Sequence, residues 1–465
     1  MYLAIILIYL AAVFAIGIYF SKNAQNSKSF LSAKGQISWY VNAGTLIATY
    51  VGSGAIMGGA SLAFTSGYNA IWLYAGGWLA ILAHVLLYKK IKKLSGSTVS
   101  ELIGNRYGDT ARLISALIIM VAETSIVGYN LKSIGVIINT ITGMNVNVAA
   151  VIATIFIILI TVVAGLVSVA YTDYVQSIII IVSFIIAIPA IINAGGGLSN
   201  IISRLPTEYF NPLGSFGGIS YILSSMLPTF CLVFMSQSFW QRFAAAGSKK
   251  DLLKTVITWL IGVVTISLLI ITFATFGKAA APDATADSIV IYLAKNILPT
   301  LVGILILVAT TSILVTTADS YLLASTSVFM NDLYNRYINK NADEKKKLLV
   351  SRISVVVFGI ISFVLVTFFP TILSMVYFAY TMEGGLIVAM IGILFWKRAT
   401  PQGGVAAIAT VFVVTILWEI FKPFGIATIF ATLISGTAVL VIVSLLTPPP
   451  EQKYIACFEE SGDDE

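Results

Sequence analysis

Long apolar runs are the feature that most constrains this chain: a stretch of roughly 20 mostly apolar residues is enough for a helix to cross a bilayer. Bounded by charges and by Gly and Pro clusters, thirteen such runs occur, at about 2–20, 38–66, 70–88, 113–140, 146–167, 172–193, 217–241, 255–277, 299–329, 353–369, 371–396, 402–420 and 424–446. The loops nearly vanish at 167–172 and at 369–371. Only 10% of the 465 residues are charged and 58% are hydrophobic, so a water-soluble fold would leave too much apolar surface exposed. The sequence therefore predicts an all-α integral membrane protein.

Charge placement predicts the orientation. Tyr2 to Phe20 has no basic residue before it, while Lys22, Lys28 and Lys34 follow it, as expected of an uncleaved first span with its N-terminus outside. With thirteen spans in that orientation, 22 Lys and Arg fall in inner loops or the tail. Only four, Arg204, Lys278, Lys295 and Lys422, fall outside, and Lys132 lies within a span. That asymmetry follows the positive-inside rule, and it accounts for the net charge of +7 without nucleic acid. The tail 447–465, ending in acids, is expected in the cytoplasm of a cell with this protein in its plasma membrane.

Several classes of chemistry are excluded. Cys231 and Cys457 are far apart and give no disulfide framework, and the single histidine, His84, gives no multi-histidine metal site. There is no glycine-rich phosphate loop followed by Lys-Ser/Thr, which disfavours ATP-driven pumping. The longest polar stretch, about 331–352, is a short loop rather than a catalytic domain, and no nucleophile–base motif points to an intramembrane enzyme.

What remains is the polar content of the spans. Ionisable residues inside a membrane are costly and usually functional; here they are Glu123, Lys132, Asp173, Asp319 and Glu383. Interhelical ion pairing or neutralisation by burial is the alternative for each. In the second span, Gly52, Gly54, Gly58 and Gly59 sit mid-membrane. A helix broken there frees carbonyls for a cation and aims a half-helix N-terminus at an anion, whereas unbroken it would pack closely through the Gly54–Gly58 pair. The ninth span, Thr310 to Ser320, holds seven polar residues in eleven, with Thr316, Asp319 and Ser320 on one face. Hard oxygen ligands of this kind suit a small hard cation, although Thr and Ser in membranes also bond back to their own helix. Lys132, the only base within the expected spans, cannot neutralise Asp173, Asp319, Glu123 and Glu383 together.

Five landmarks then resemble the sodium–solute symporter family over nearly the whole chain: Ser27–Gly35, Gly165–Gln176, Gln237–Ala246, Thr316–Tyr334 and Gly392–Arg398. The resemblance implies about thirteen transmembrane helices, ten of them forming two inverted five-helix repeats of the leucine-transporter type. These would be 38–193 and 217–396, with an extra N-terminal helix and two extra C-terminal helices over 402–446. It implies broken helices at spans two and seven; the latter has no glycine between Ile219 and Ala246, so Pro228 is the expected cause of any kink. It implies a main sodium site at Ala48, Val51, Ile313, Thr316 and Thr317. It also implies a second cation site at Asp173, Asp319 and Ser320, together with Thr316, so that Asp173 and Asp319 are expected to share a cation rather than each pair with a basic residue. Such members have a hydroxyl residue where this chain has Asp319, which adds either a stronger ligand or a protonatable group. A substrate pocket is implied between Gly52–Ala55, including Ser53, and Asn130, Gln237 and Glu383.

The acid and amide pattern of sugar carriers is missing, with Ala75 and Ala55 in those places, and so is the aromatic set of proline carriers on span seven. Thr45–Tyr50 and Glu383 resemble pantothenate carriers without naming a substrate. The expected function is sodium-coupled symport of a small organic solute across the lipid bilayer by alternating access, with sodium as coupling ion, no catalytic activity and no obligate protein partner. Proton coupling through Asp173 and Asp319 is the alternative within transport. A transporter-like membrane sensor is the alternative outside it, disfavoured because no signalling domain precedes Glu465.

Overall fold

The computed structural model describes residues 2–21, 30–31, 37–87, 90–91, 98–213, 218–245, 248–369, 371–452 and 454. Most of the landmark at 27–35, the lysines at 22, 28 and 34, and the acidic end of the tail lie outside them. The described residues form helices throughout. They begin with α1 (Tyr2–Ser21) and α2 (Trp39–Tyr50), followed by a π-turn (Gly54–Gly58) that leads into α3 (Gly59–Ser66) and α4 (Ile71–Leu86). A short α5 (Val99–Tyr107) precedes the long α6 (Asp109–Thr142). Then come α7 (Val146–Val163), α8 (Gly165–Ala194) and the short α9 (Leu198–Arg204). The second half runs through α10 (Gly218–Met235), α11 (Gln237–Ala245), α12 (Lys249–Ala280), a short α13 (Ile289–Asn296) and α14 (Thr300–Val328). It continues with α15 (Glu344–Val366), α16 (Ile372–Gly384), α17 (Ile387–Phe395), α18 (Pro401–Phe421) and α19 (Thr428–Leu446).

Among the described residues, eleven helices are long and apolar enough to cross a membrane. That number differs from thirteen because α1 contributes only the shorter apolar stretch Ala4–Ala15, and because the break in the second expected span leaves its remainder counted together with α4.

Local chemistry sets where helices start. Thr98, Ser248, Asp343 and Thr400 each accept a backbone N–H three residues on, and Thr371 with Ser374 forms a reciprocal capping box. Pro401 follows its cap at the first helical position, where a missing N–H costs nothing. One helical path from Val146 to Ala194 would run roughly 70 Å, over twice the hydrocarbon thickness. The path is interrupted at Gly165, which takes φ 70° and ψ 169°, a conformation open to glycine and hostile to other residues. The division therefore falls two residues before the expected 167–172 boundary, at the first residue of the family landmark.

Two helices in the middle of the protein are discontinuous. α2 ends as Val51 turns to ψ 44°, its N–H closing on Ile47. Gly52 is needed there, since a Cβ would come within 2.6 Å of the Thr317 methyl on α14. The second break corrects the expectation built on Pro228. That proline lies inside α10, which continues to Met235, and the interruption falls at Ser236, between α10 and α11. Proline removes one N–H and bends a helix, but it does not have to end it.

Candidate cation and solute site

The breaks bring the end of α2 and the short α11 against the middle of α14. The Thr317 hydroxyl donates 2.8 Å to the Ile313 carbonyl in its own helix and lies 3.0 Å from the Ala48 carbonyl on α2. Thr316 bonds back to Ile313 at 3.2 Å. Back-bonding, the ordinary behaviour of membrane threonines, is thus present, but Thr317 also reaches across to the unwound end of another helix. Ala48, Val51, Ile313, Thr316 and Thr317 are all buried. Four of the five residues expected at one ion site, Ala48, Ile313, Thr316 and Thr317, are therefore joined by these contacts, and Val51 follows at the end of α2.

The next layer holds a residue that the sequence reading misplaced. Arg242, counted there with the inner loops, is 2% exposed on α11 and is a second base within the membrane-buried core. Its Nη2 lies 3.6 Å from Asp173 Oδ2 on α8 and donates 2.7 Å to the Ser320 hydroxyl. Its Nε donates 3.0 Å to the Thr45 hydroxyl, which itself donates 2.5 Å to Asp173 Oδ2. Asp173 thus has a basic partner, where the two aspartates were expected to share a cation rather than each pair with a base. The chain signal was available, because Arg242 stands in the landmark Gln237–Ala246 rather than in the polar loop beyond it. Asp319 is close enough to Asp173 and Arg242 to interact electrostatically with both. Asp173 Oδ1 and Asp319 Oδ1 are buried with no hydrogen-bond partner. Two carboxylates and one guanidinium leave a net formal charge of −1. Buried charge of that kind is stable only when compensated.

Lys132 does not compensate it. Its ammonium donates 2.8 Å to the Phe369 carbonyl, and its electrostatic partner is Asp287.

On the other side of the broken α2, the Ser53 N–H donates 3.0 Å to Asn130 Oδ1, and the Ser53 and Ser133 hydroxyls hydrogen-bond. Gly52 and Ser53 are thereby held against α6 and α14. Gln237 and Glu383 also meet: the Gln237 N–H, at the start of α11, donates 3.1 Å to Glu383 Oε1. The Gln237 side chain faces the opposite way, its Oε1 accepting from the Val99 N–H at 2.8 Å. Of the expected pocket residues, Gln237 therefore contributes its backbone at the break while its amide oxygen ties down α5. The start of α5 is fastened further by Asp332, which accepts from Thr98 at 2.8 Å, Ser100 at 2.6 Å and Arg112 Nε at 2.5 Å. At the other end of the molecule a cavity of about 510 Å³ is lined by Tyr221, Pro228, Tyr377, Thr381, Glu419 and Lys422, among others.

The sodium:solute symporter family model matches residues 30–411 of the sequence. The chain belongs to the sodium:solute symporter family. It is 25% identical to the high-affinity proline transporter PutP of Bacillus subtilis, over 96% of this chain and 98% of that one. It is 23% identical to the sodium/proline symporter of Escherichia coli, over 98% and 95%. Among solved structures, the substrate-bound outward-open state of a Na+-coupled sialic acid symporter, described as revealing a novel Na+ site, matches with a TM-score of 0.82 at 20% identity. That match covers 97% of this chain and 99% of the other. Mhp1, a nucleobase-cation-symport-1 family transporter, matches with a TM-score of 0.57 at 12% identity, over 92% and 98%. This symporter is a multi-pass membrane protein of the leucine-transporter type that takes up a small solute with sodium as coupling ion; it is not an enzyme.

Proposed function

We propose that sodium binds at the unwound end of α2, held by the Ala48, Val51 and Ile313 carbonyls and the Thr316 and Thr317 hydroxyls. The observation that carries this reading is the Thr317 hydroxyl standing 3.0 Å and 2.8 Å from carbonyls of two different helices. Oxygens freed by a broken helix are the ligands that a membrane protein can offer a hard cation. A second cation site at Asp173, Asp319 and Ser320 is supported by the two unpartnered carboxylate oxygens and the residual negative charge beside Arg242. That same excess supports the second reading, a proton on Asp319.

The repeats proposed are 38–193 and 217–396, each opening with a broken helix, with 402–446 as the two additional helices. The N-terminus is proposed outside and the tail inside the plasma membrane, as the basic residues imply. In that orientation the cavity beside Lys422 opens outward, while Gln237 and Asp332 fasten the inner side through α5, an outward-facing arrangement of an alternating-access cycle. The solute is proposed to bind between Gly52, Ser53, Asn130, Gln237 and Glu383, one layer below the cavity. The test is a thermal-shift titration of the purified full chain with sodium against potassium. The reading expects stabilisation by sodium that weakens in Thr316→Ala; equal stabilisation by both ions would count against it.

A further inference from the structure

Two carboxylates at the second break are not used by the sodium sites. Glu123 on α6 and Glu383 on α16 are both 0% exposed. Glu383 Oε1 takes the Gln237 N–H, and the Glu123 carboxyl faces the next N–H, that of Ser238. The two acids therefore sit side by side at the start of α11 and interact electrostatically. Each keeps one buried oxygen, Glu123 Oε1 and Glu383 Oε2, with no hydrogen-bond partner. A third polar group at the break, the Ser236 hydroxyl, is buried at 0% exposure and faces the Tyr321 hydroxyl.

The charge balance is decisive. A helix N-terminus carries roughly half a positive charge, too little to offset two carboxylates. Arg242 lies near enough to be felt by Glu123, but it is already committed to Asp173, Thr45, Ser238 and Ser320. No ion pair to Glu123 or Glu383 is present among the described residues. The helix end that could receive an anionic group of a solute is already occupied by Glu383, so this face offers carboxyl oxygens instead.

Its surroundings favour an organic cation over a bare ion. Tyr129, Tyr321 and Tyr380 are all buried and close enough to Glu383 or to one another to interact. Aromatic faces beside carboxylates attract alkylammonium groups. Tyr377 and Thr381 of α16 line the outer cavity, and Glu383 lies two residues further along the same helix, on its opposite face.

We propose that Glu123 and Glu383 form the cation-recognition end of the solute pocket, so that the solute carries a protonated amino group. This rests on the symport reading above and names the chemical class of what is carried. The ammonium takes the free oxygens of both acids, while the Ser53 and Asn130 region receives the rest of the solute.

The test uses the purified full chain in sodium buffer and a defined panel in thermal-shift measurements: ethanolamine, putrescine, proline and lysine, with ethylene glycol, acetate and succinate as members lacking an ammonium group. At least one ammonium-bearing member should stabilise the wild type, and Glu383→Gln or Glu123→Gln should weaken its half-maximal concentration tenfold or more. Sodium's own stabilisation should persist in both variants, which also reports that they are folded; Glu383→Asp should retain part of the response. The proposal is overturned if only members lacking an ammonium group stabilise, if no member does, or if the Gln variants respond to the ammonium member as wild type does. It is also overturned if they lose the sodium response and keep the solute response, because the acids would then hold the coupling ion. Failure of sodium to affect wild-type binding would instead refute the symport reading and leave the ammonium result to be read separately.

Discussion

Thr317→Val isolates one atom of the proposed sodium site. Valine keeps the branched shape that packs against Gly52, where the Thr317 side chain leaves no room for a Cβ, so the break in α2 is undisturbed. What is lost is the hydroxyl oxygen between the Ala48 and Ile313 carbonyls. A hydrogen-bond-strength interaction with a charged group contributes about 1.5–3 kcal/mol. Loss of one such ligand weakens sodium binding roughly 10- to 150-fold. The same change leaves the Ala48 carbonyl without this donor in the sodium-free protein, which costs on the order of 1–3 kcal/mol of stability. The two effects separate in one assay. In a sodium titration followed by thermal unfolding, the starting melting temperature reports the second and the sodium midpoint reports the first. Thr317→Ser, which keeps the oxygen, should return the midpoint to within about threefold of wild type by the same reasoning. If Thr317→Val and wild type share a sodium midpoint, Thr317 is only a packing residue and the site lies elsewhere.

Other consequences follow from the same geometry. Arg242→Ala strands Asp173 in the core and should destabilise the protein by about 3–5 kcal/mol, with part of the loss restored in Arg242→Ala/Asp173→Asn, as read by thermal unfolding. Gly165→Ala forces a side chain into φ 70° and ψ 169° and should cost about 1–3 kcal/mol, lowering the melting temperature without changing the sodium midpoint. A cysteine at the exposed Asn211 should react with an impermeant thiol reagent in intact cells, and one at the exposed Asn341 should not; the reverse would invert the proposed topology. Asp319→Asn keeps the side-chain shape and removes its charge. It should lower the number of ions carried or flatten the pH dependence of transport, and unaltered sodium and proton dependence would make Asp319 a polar packing residue.

Much of this was legible in the chain because the membrane simplifies the physics. Apolar length alone marks the spans, and a mid-membrane run such as Gly52–Gly59 has few uses besides a break or a close approach. Thr316, Thr317 and Asp319 stand out because seven oxygen-bearing side chains in eleven residues are costly in lipid unless they serve something. The break at Ser236 was hidden because a polar serine between two helical stretches carries no local signal; it is stabilised by tertiary contacts, chiefly the Glu383 carboxylate on the Gln237 N–H. Arg242 was misread for a related reason. An arginine at the end of an apolar run looks like an inner-loop charge, and only the approach of Thr45, Asp173 and Ser320 from three other helices shows that it is buried. Glu123 was visible as an intramembrane acid, but its partner could not be named before α6 and α16 were known to meet at the start of α11.

The most direct test of sodium-coupled symport is uptake into liposomes containing the purified full chain, using the panel member that stabilises it most. An inward sodium gradient without a proton gradient should concentrate that solute, Thr316→Ala and Thr317→Val should shift the sodium dependence upward, and an inward proton gradient alone should not drive accumulation. Accumulation driven by protons in the absence of sodium, and abolished by Asp319→Asn, would contradict the account.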